Sequence, residues 1–345
     1  MNKNNARRCD VALLVDEETG EYGRDGRFIP EDDDVEDKVL RALRRSYGRV
    51  EVVPFRRDVR STVQWLRRLD PLVVMNLTEW VDGDRTQDAA IARVLDRLGV
   101  AYTGAGPRGL RLARDKSRSK RIAARAGVCV PRHFVADRPA GIGGHRVPFP
   151  VLVKPQYGDG SEGIHCASVV NDATQLRERV RLVQARHRQP AVCEEFIPGN
   201  DVYVALLGNE PEVLQPVELV VRSRHRAAPR FATYRLKNDP RYRARWGAHY
   251  RPARLEESTR RALADASRRL FRALELRDYA RLDFRLTGDG RFYFIEANPN
   301  PDLDPHALNR SGCFAGVPYV RLLRTIIESA RRRQHRKRGT GNGER

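Results

Sequence analysis

Four side chains near the C-terminal end of the chain have the types and the spacing that metal and anion binding require. Two runs rich in aromatic and aliphatic residues, ARLDFRL and RFYFIEAN, flank a TGDG turn. Runs of this kind around a glycine-containing turn predict a β-hairpin. Because side chains alternate faces along a strand, a loop over residues 288–291 would place two facing pairs on one face: Asp283 with Glu296, and Arg281 with Asn298.

The charges of this face indicate its chemistry. Two facing carboxylates repel each other unless a cation lies between them, and a hard divalent ion with oxygen ligands is the natural occupant. The Asn298 amide oxygen suits Mg²⁺ as a further ligand, and Arg281 could hold a phosphate or a developing oxyanion beside the metal. An exposed hairpin with an ion-paired polar face is the alternative, and the hairpin alone does not decide between the two.

The N-terminal third contains strands that could bring further polar groups to one edge of a sheet. The apolar runs CDVALLVDE, VEVVPF and PLVVMNL alternate with helices predicted at 35–47, 59–69 and 86–98. This order predicts an α/β unit with parallel strands. Ligands of such sheets gather beyond the carboxyl ends of the strands. Candidate substrate contacts there, with exposed loop residues as the alternative, are Glu17, Glu18, Thr78 and Glu79.

A glycine-containing loop follows a lysine-bearing strand in the middle of the chain. In PVLVKPQYGDGSEGIHCASVV, Lys154 ends the strand and the loop contains three glycines. Glycines let backbone N–H groups approach an anion closely, and a lysine at the edge of the loop supplies a point charge for phosphates. The loop is not a Walker A motif, which requires GK[ST] at the start of a helix. A structural hairpin is the alternative.

The segment AVCEEFIPGNDVYVALLG has the pattern of a nucleotide-binding linker. A strand ends at Glu194, the apolar pair Phe196 and Ile197 follows, and a Pro-Gly turn precedes Asp201. Apolar side chains could pack on adenine while Glu194 and backbone groups bind its polar edge, and Asp201 could bind ribose hydroxyls. Strand–turn–strand segments of this composition are also common without a ligand.

A long basic segment, 221–255, precedes a helix predicted over 256–274. Its length without clear periodicity indicates a functional loop rather than a core element. Lys237, within RFATYRLKNDP, could close over phosphates or an anionic substrate, and a solvated surface loop is the alternative. The chain ends with an amphipathic helix predicted over 318–333 and a basic tail, 334–345, predicted to be disordered.

The composition indicates a globular protein with a strong arginine bias. The 345 residues include 65 Lys and Arg against 45 Asp and Glu, which gives a net charge of +20. Such a charge raises nucleic acid, acidic lipid and anionic substrates as partners. The arginines are spread through nearly every segment, however, and do not alternate with aromatics as a base-stacking surface requires. We therefore do not expect nucleic-acid binding.

The cysteines and the apolar runs bear on the compartment. The five cysteines are scattered without CxxC or Cys/His ligand spacing, which indicates free thiols in a reducing environment. No apolar run approaches membrane-spanning length, and the first residues, MNKNNARRCD, lack a signal-peptide core. We expect a cytoplasmic protein without membrane contact, and a homodimeric assembly is left open.

The order of the motifs resembles the ATP-grasp superfamily and, within it, the D-alanine–D-alanine ligase group. DKSRSK, VKP with its glycine-containing loop, EEFIPGND, RLDF and FIEANPNP follow one another as in that group, from about Asn76 to the last helix. The resemblance implies a fold of α/β plus α+β type. Its expected parts are a Rossmann-like pre-ATP-grasp domain (1–112), a central ATP-grasp lobe (113–206), a C-terminal ATP-grasp lobe (207–333) and the tail (334–345).

The resemblance also implies a role for each residue that matches a family motif. It implies an ATP site made of Lys116, Lys154, Gly160, Ser161, Glu194, Phe196, Ile197, Asp201 and Ile295. It implies two Mg²⁺ ions, with Mn²⁺ as an alternative, held by Asp283, Asn298 and a bridging Glu296. The implied catalytic residues are Arg281 at the tetrahedral intermediate, Lys237 in a mobile loop over the γ-phosphate, and Ser161 near the γ-phosphate.

The reaction that the resemblance implies is carboxylate activation by ATP. The γ-phosphoryl group moves to a substrate carboxylate, an amine attacks the acyl phosphate, and phosphate leaves. Mg²⁺ and lysines neutralise charge during transfer, and a closed lid keeps water away. The expected partners are ATP and small amino-acid or peptide substrates. A non-catalytic ATP-binding module is the alternative, against which the retention of the motif residues argues.

The sequence departs from the ligase group where amino acids bind. The group's glycine- and serine-rich N-terminal loop is not evident, and its glutamate could be replaced by Glu17 or Glu18. Glu79 stands where the group has His-Gly, and Ala307 where a serine binds the second amino acid's carboxylate. We therefore expect an amine acceptor that is cationic or lacks a free carboxylate, received by Asp302 or Asp304. The predicted substrate-binding residues are Glu17, Glu79, Asn300 and Asp302.

Overall fold

The computed structural model describes residues 8–56, 58–79, 87–138, 142, 146–225, 227–304 and 317–340. These residues form a parallel sheet with helices, followed by two antiparallel sheets that each carry helices. The predicted combination of an α/β unit with two α+β lobes is therefore confirmed.

The N-terminal unit is built on a parallel sheet in the order β4–β1–β5. Its strands are β1 (Val11–Asp16), β4 (Val50–Phe55) and β5 (Val73–Asn76), with a small hairpin of β2 (Gly20–Tyr22) and β3 (Phe28–Pro30). Its helices are α1 (Val35–Arg44), α2 (Val59–Leu69), α3 (Asp88–Leu98) and α4 (Pro107–Arg114). The VAYTG segment that follows α3 forms only an isolated bridge, between Val74 and Tyr102.

Strand β1 is buried on both faces, as is typical of a parallel sheet covered by helices. Val11, Leu13 and Val15 pack with residues of α1 and of the last helix of the chain. Ala12 and Leu14 pack on the other side with residues of α2 and α3. The strand therefore ends at a well-fixed edge, where its last residues can take part in a site.

The central lobe is an antiparallel sheet in the order β6–β9–β7–β8. Its elements are α5 (Lys116–Arg125), β6 (His133–Ala136), β7 (Val151–Pro155), β8 (Val169–Val170), α6 (Ala173–His187) and β9 (Ala191–Glu195). Helix α5 begins after Asp115, whose carboxylate accepts a hydrogen bond from the Arg118 N–H at 2.9 Å and so caps the helix. Gly127, in the left-handed region at φ 72°, follows its end.

The C-terminal lobe is an antiparallel sheet in the order β13–β12–β10–β14–β15, with β11 beside β10. Its strands are β10 (Asn200–Leu207), β11 (Glu212–Val213), β12 (Val217–Val221), β13 (Ala248–Pro252), β14 (Tyr279–Leu286) and β15 (Phe292–Asn298). Its helices are α7 (Tyr234–Asn238), α8 (Pro240–Arg245) and α9 (Glu257–Ala273). The predicted helix over 256–274 is confirmed.

Two predictions about this lobe need correction. The boundary predicted at residue 206 assigned β10 to the central lobe, but β10 pairs along its whole length with β14. The turn at Pro198 and Gly199 ends the central sheet, so the chain crosses to the other lobe before Asn200. The segment 221–255, predicted as an irregular loop, contains α7, α8 and β13, because its aromatic side chains pack around Leu236.

The predicted disordered tail is also partly wrong. The last helix, α10 (Tyr319–Thr340), continues past the predicted end at residue 333, so residues 334–340 are helical. The sequence QHRKR contains no glycine or proline that would stop the helix, and Gln334 donates a hydrogen bond to the Gly99 carbonyl at 2.9 Å. Residues 341–345 lie outside the described part of the chain.

Asp278 joins the N-terminal unit, the C-terminal lobe and α10. Its side chain is fully buried and accepts hydrogen bonds from the Gly104 N–H at 2.9 Å, from Asn209 at 2.9 Å and from Arg333 at 2.7 Å. A buried carboxylate is tolerated when it is paired and hydrogen-bonded in this way. These contacts link the loop after β5 to the lobe that carries the β14–β15 hairpin.

Candidate active site

The hairpin β14–β15 has the pairing that the sequence predicts at the site. Its register places Arg281 opposite Asn298 and Asp283 opposite Glu296. Nearer the turn the register is shorter by one residue than predicted, with Leu286 opposite Phe292. A β-bulge whose extra residue is Ile295 absorbs this difference. Bulges are common next to active sites because they re-aim side chains.

The Asp283 carboxylate lies among cationic groups. Arg281 donates to it from Nε at 2.7 Å and from Nη2 at 3.1 Å, and Lys237 Nζ lies 4.0 Å away. The Asn298 amide is satisfied when its oxygen accepts from Arg281 at 3.0 Å and its nitrogen donates to Asp159 at 3.2 Å. In that orientation the amide oxygen lies 3.4 Å from Asp283 Oδ1. Arg281 Nη2, which donates to both side chains, is the cation beside these oxygens.

The two facing carboxylates differ in their titration. Burial raises the pKa of Glu296, but a group of cations outweighs burial and lowers that pKa to about 2: Lys116, Lys154, Lys237 and Arg281. Burial also raises the pKa of Asp283, and there it prevails over the opposing effect of Arg281 and Lys237. Glu296 is therefore ionised at neutral pH, whereas the net effect of its surroundings on Asp283 is to raise its pKa.

This donor set fits the predicted magnesium ions. It comprises two carboxylates and an amide oxygen. Within the described residues, no cluster of three or more His, Cys, Asp and Glu side chains offers a metal site made of protein ligands alone. Mg²⁺ is commonly bound through one or two carboxylates together with water and substrate phosphates. A site of this composition is therefore suited to a metal that arrives with a nucleotide.

Three lysines lie beside the hairpin, of which the sequence analysis identified two. Lys154 lies 2.6 Å from Glu194, and Lys116 lies 3.9 Å from Glu296. The third, Lys120, is fully buried and lies 2.9 Å from Glu194. Burial lowers the pKa of Lys120 to about 8, although pairing with Glu194 acts in the opposite direction. The signal that could have identified Lys120 is its position four residues after Lys116, on the same face of α5.

The glycine-containing loop and the basic segment meet over the hairpin. Ser161 has a left-handed backbone at φ 64°, a strained conformation that is common at functional sites. Its hydroxyl donates to the Ala232 carbonyl at 3.2 Å, and the Tyr234 N–H donates to the Ile164 carbonyl at 3.0 Å. Gly160 precedes Ser161 and is also left-handed, at φ 57°. We name residues 230–238 the lid, because these contacts close it over the loop.

Arg285, which was not predicted from the sequence, contacts the segment predicted to bind adenine. Arg285 is buried, donates to the Ile197 carbonyl at 3.0 Å, pairs with Asp201 at 3.0 Å and lies over the Phe196 ring. Asp201 also accepts from the Ala232 N–H at 2.7 Å. Asp201, whose carboxylate is predicted to bind the ribose hydroxyls, therefore also binds the backbone of the lid. Arg285 could have been found from its alternation with Arg281 and Asp283 along β14.

These elements line a cleft between the central and C-terminal lobes. Its wall combines apolar side chains near the linker with charged ones near the hairpin. The predicted site residues that line it are Lys154, Ser161, Glu194, Phe196, Ile197, Asp201, Lys237, Asp283, Ile295 and Glu296. Seven of the nine predicted nucleotide-binding residues and two of the predicted metal ligands therefore line one cavity, whereas Gly160 is not among its described lining residues and Lys116 lines the second pocket.

Tyr203 forms part of the floor of this cleft and was also missed. It lies opposite Asp283 in the β10–β14 pairing. Its ring centroid is 5.4 Å from the Arg281 guanidinium and 5.8 Å from Lys237 Nζ. Both distances permit cation–π attraction. The hydroxyl is buried and has no hydrogen-bond partner among the residues described.

A second pocket adjoins the cleft at Glu296. Its lining includes Lys116, Asn298 and two of the predicted substrate-binding residues, Glu79 and Asn300. The Asn300 side chain also accepts a hydrogen bond from the Ala105 N–H at 2.9 Å, which ties this loop to the N-terminal unit. The position beside the hairpin and the mixed charge of the lining suit an amino acid.

The other predicted substrate contacts lie elsewhere. Glu17 and Asp302 are not among the described residues that line the second pocket. Glu17 forms an ion pair with Arg56 at 3.1 Å, so its carboxylate is already neutralised. Asp304 pairs with Lys38 at 3.4 Å, and Asp302 accepts from the Asp304 N–H at 2.8 Å. Ala307 lies outside the described residues. In the described part of the chain, no helix is long and apolar enough to cross a membrane.

Comparisons with known proteins agree on one family. The model for the D-ala D-ala ligase C-terminus matches residues 143–328. An uncharacterized protein, y4sG, of Sinorhizobium fredii is 32% identical over 315 residues, which cover 87% of this chain and 88% of that protein. The D-alanine–D-alanine ligase of Caulobacter sp. strain K31 is 30% identical over 293 residues, with coverage of 84% and 85%.

Solved structures show the same fold. A Bacillus anthracis D-alanine–D-alanine ligase complexed with ATP superimposes with a TM-score of 0.67 at 18% identity, covering 95% of this chain and all of that one. The VanG D-Ala:D-Ser ligase of Enterococcus faecalis gives a TM-score of 0.67 at 17% identity, covering 94% and 100%. Both are ligases with the ATP-grasp fold, and at these identities the likeness concerns the fold alone.

Proposed function

The chain belongs to the D-alanine–D-alanine ligase family, and from that premise we propose that it is an ATP-dependent carboxylate–amine ligase that forms an amide or peptide bond through an acyl phosphate. The observation that carries this proposal is the register of the β14–β15 hairpin. It places Arg281, Asp283, Glu296 and Asn298 on one face, where the cleft lined by predicted nucleotide-binding residues meets the second pocket.

The first step is phosphoryl transfer. ATP would bind in the cleft with its adenine near Phe196 and Ile197 and its phosphates near Lys116 and Lys154. An oxygen of the donor carboxylate attacks the γ-phosphorus, the bond to the β-phosphate oxygen breaks, and ADP forms. Lysines stabilise the charge that spreads over the transferring group. The contacts of Ser161 and Tyr234 that close the lid would keep water from the acyl phosphate.

The second step is attack by the amine. The neutral amine adds to the carbonyl carbon of the acyl phosphate, the C–O bond to phosphate then breaks, and the nitrogen loses a proton. Arg281 lies where it could stabilise the tetrahedral oxyanion. When bound at Asp283, Glu296 and Asn298, Mg²⁺ would neutralise the phosphate oxygens during the first step. No covalent bond to the enzyme is required.

The amine acceptor is proposed to be cationic. Asp304 is paired with Lys38, which leaves Asp302, although it is not among the described residues that line the second pocket, as the carboxylate of this loop that could attract a positive group. Burial raises the pKa of Glu36, and the neighbouring carboxylates of Asp34, Asp302 and Glu79 raise it further. Carboxylates from three segments therefore repel one another here, and a cationic substrate would relieve that repulsion.

The test is phosphate release from Mg·ATP with a panel of D- and L-amino acids and diamines, singly and in pairs, with products identified by mass spectrometry. The control variant is Glu296→Gln, which keeps the shape of the side chain and removes its charge. We expect release that depends on a donor and an acceptor and that disappears in the variant.

The possible outcomes distinguish three alternatives: D-alanine–D-alanine ligation, ligation of another pair of substrates, and ATP binding without catalysis. Release driven by D-alanine alone, with a dipeptide product, would establish D-alanine–D-alanine ligation and contradict a cationic acceptor. Release driven by another pair would keep the chemistry and identify the substrate. No release across the panel, despite ATP binding that depends on Glu296, would favour the non-catalytic ATP-binding module.

A further inference from the structure

A fully buried ammonium group connects the central lobe to the hairpin of the C-terminal lobe. Lys120, on α5, has 0% exposure. It donates a hydrogen bond to the Ile295 carbonyl at 2.7 Å and forms an ion pair with Glu194 Oε2 at 2.9 Å. The other oxygen of Glu194 lies 2.6 Å from Lys154 Nζ. One lysine therefore contacts both the counter-ion of a predicted phosphate-binding lysine and the backbone next to Glu296.

The bulge in β15 explains why this carbonyl is available. Phe294 pairs with Phe284 and Glu296 pairs with Asp283, so Ile295 is the extra residue between two pairs. A bulged residue is left out of the ladder of strand hydrogen bonds. Its buried carbonyl needs another donor, and Lys120 supplies one. The lysine thereby holds the backbone one residue before a predicted metal ligand.

Lys120 also affects the charge balance between Glu194 and Lys154. Burial raises the pKa of Glu194, but Lys120 and Lys154 outweigh burial and lower it. Glu194 is thus a single carboxylate between two ammonium groups. If Lys120 were absent, Glu194 would neutralise Lys154 alone. Because Lys120 takes part of that negative charge, Lys154 retains positive charge toward the cleft, which it lines.

We propose that Lys120 is a positioning residue of the ligase, a proposal that rests on the function proposed above. It acts through Glu194 on the charge of Lys154 and through Ile295 on the placement of Glu296. Lys120 is not among the described residues that line the cleft or the second pocket, so it does not touch substrate in this arrangement.

The experiment compares Lys120→Met, Glu194→Gln and the double variant Lys120→Met/Glu194→Gln. Folding is checked by circular dichroism. ATP affinity is measured by calorimetry on folded protein, and the Mg²⁺ concentration for half-maximal binding of ATP is measured separately. Neither readout requires turnover. If the variants shift binding as expected while no substrate panel gives ligation, the proposed function fails and the role of Lys120 stands.

We expect Lys120→Met to weaken ATP binding about ten-fold, the effect of losing one charge-assisted interaction, and to raise the Mg²⁺ requirement. The double variant should bind ATP as tightly as Glu194→Gln, because Lys154 has no counter-ion at Glu194 in either protein and any contact of Glu194 with adenine is missing from both. It should keep the raised Mg²⁺ requirement, because Ile295 still lacks its donor. This divergence of the two readouts is the signature of the proposal.

Other outcomes would overturn it. Effects on ATP affinity that add in the double variant would exclude charge sharing through Glu194. A normal Mg²⁺ requirement in every variant that lacks Lys120 would exclude the link through Ile295. Lower thermal stability with unchanged binding by the folded fraction would make Lys120 merely structural. If Lys120→Met does not fold, comparison of Glu194→Gln with the double variant still tests the Ile295 link, because they differ only at Lys120.

Discussion

The two pockets of the molecule are built in different ways. The cleft takes its charged side chains from strands of the central and C-terminal lobes and from the lid, and several of those groups pair with one another, as Lys154 does with Glu194. The second pocket also includes residues of the N-terminal unit, from the segment after β5 and from α3 and α4, together with the segment after β15. On the proposed function, the chemistry would therefore depend on the two lobes, whereas substrate choice would depend also on the N-terminal unit.

The first prediction tests the hairpin. Asp283→Asn keeps the size of the side chain but removes a charge opposite Glu296 and one of the two oxygens that accept hydrogen bonds from Arg281. We expect kcat to fall by about 10²–10³-fold, the effect of losing one preorganised electrostatic group, and the Mg²⁺ requirement to rise. Steady-state phosphate release over a range of Mg²⁺ concentrations measures both.

The matched control is Asp289→Asn in the turn of the same hairpin. Asp289 is exposed and pairs with the exposed Arg291, and exposed pairs contribute little. We expect kcat within about two-fold of the unaltered protein. Equal losses in the two variants would mean that the hairpin as a whole, rather than the metal-facing carboxylate, is responsible.

The second prediction concerns the link between the two pockets. Asp278→Asn leaves Arg333 without its buried counter-ion and weakens the contact to the Gly104 N–H. We expect the free energy of unfolding to fall by about 3 kcal/mol, as for other broken buried ion pairs. Gly104 is next to Ala105, which holds Asn300 in the second pocket. The KM for the amino acid should therefore rise more than the KM for ATP.

Chemical denaturation and steady-state kinetics check this prediction, with Asp265→Asn as control. Asp265 lies on α9 and makes an exposed ion pair with Arg268, so its loss should change stability by less than about 0.5 kcal/mol. Equal increases of both KM values in Asp278→Asn would contradict the separate construction of the pockets.

The different construction of the two pockets also explains which parts of the site could be predicted from the sequence. The pairing of Asp283 with Glu296 could be predicted because both belong to one hairpin whose side chains alternate. Arg285 follows the same alternation along β14, and Lys120 lies four residues after Lys116 on α5. Both could therefore have been predicted from the sequence but were not. The ion pair of Lys38 with Asp304 joins residues 266 positions apart. No periodicity connects them, and only the assembled fold shows that Asp304 is already neutralised.

The third prediction concerns the cations beside the hairpin. Tyr203→Leu keeps apolar volume but removes the ring near Arg281 and Lys237. We expect kcat to fall about ten-fold, which corresponds to about 1.4 kcal/mol of cation–π attraction. The KM for ATP should change less than kcat, because Arg281 is proposed to act on the tetrahedral intermediate rather than on bound ATP, and of the two cations Lys237 is the farther from the ring.

Tyr203→Phe is the discriminating control. It keeps the ring and removes a hydroxyl that has no partner among the described residues, so activity should stay within about two-fold and stability should not fall. A large loss of activity in Tyr203→Phe would instead show that the hydroxyl contacts the nucleotide or the substrate.

The smallest expected effect is on the choice of the amine acceptor, through Asp302. Asp302→Asn should reduce the preference for a cationic over a zwitterionic acceptor by about three- to ten-fold, since contact with a partly solvated carboxylate is worth about 1 kcal/mol. The KM for ATP should not change. The ratio of kcat/KM for the two acceptors, measured by phosphate release at low and high salt, checks this expectation, and the effect should be smaller at high salt.

Asp304→Asn is the comparison that gives this result its meaning. It removes the same charge from the same loop, but its carboxylate is paired with Lys38. If only Asp302→Asn shifts the preference, the acceptor contacts Asp302 directly. If both variants shift it equally, the acceptor responds to the summed negative charge of this region, and selectivity is a long-range property of the second pocket. If neither does, the acceptor's charge is recognised elsewhere and the loop after β15 does not select it.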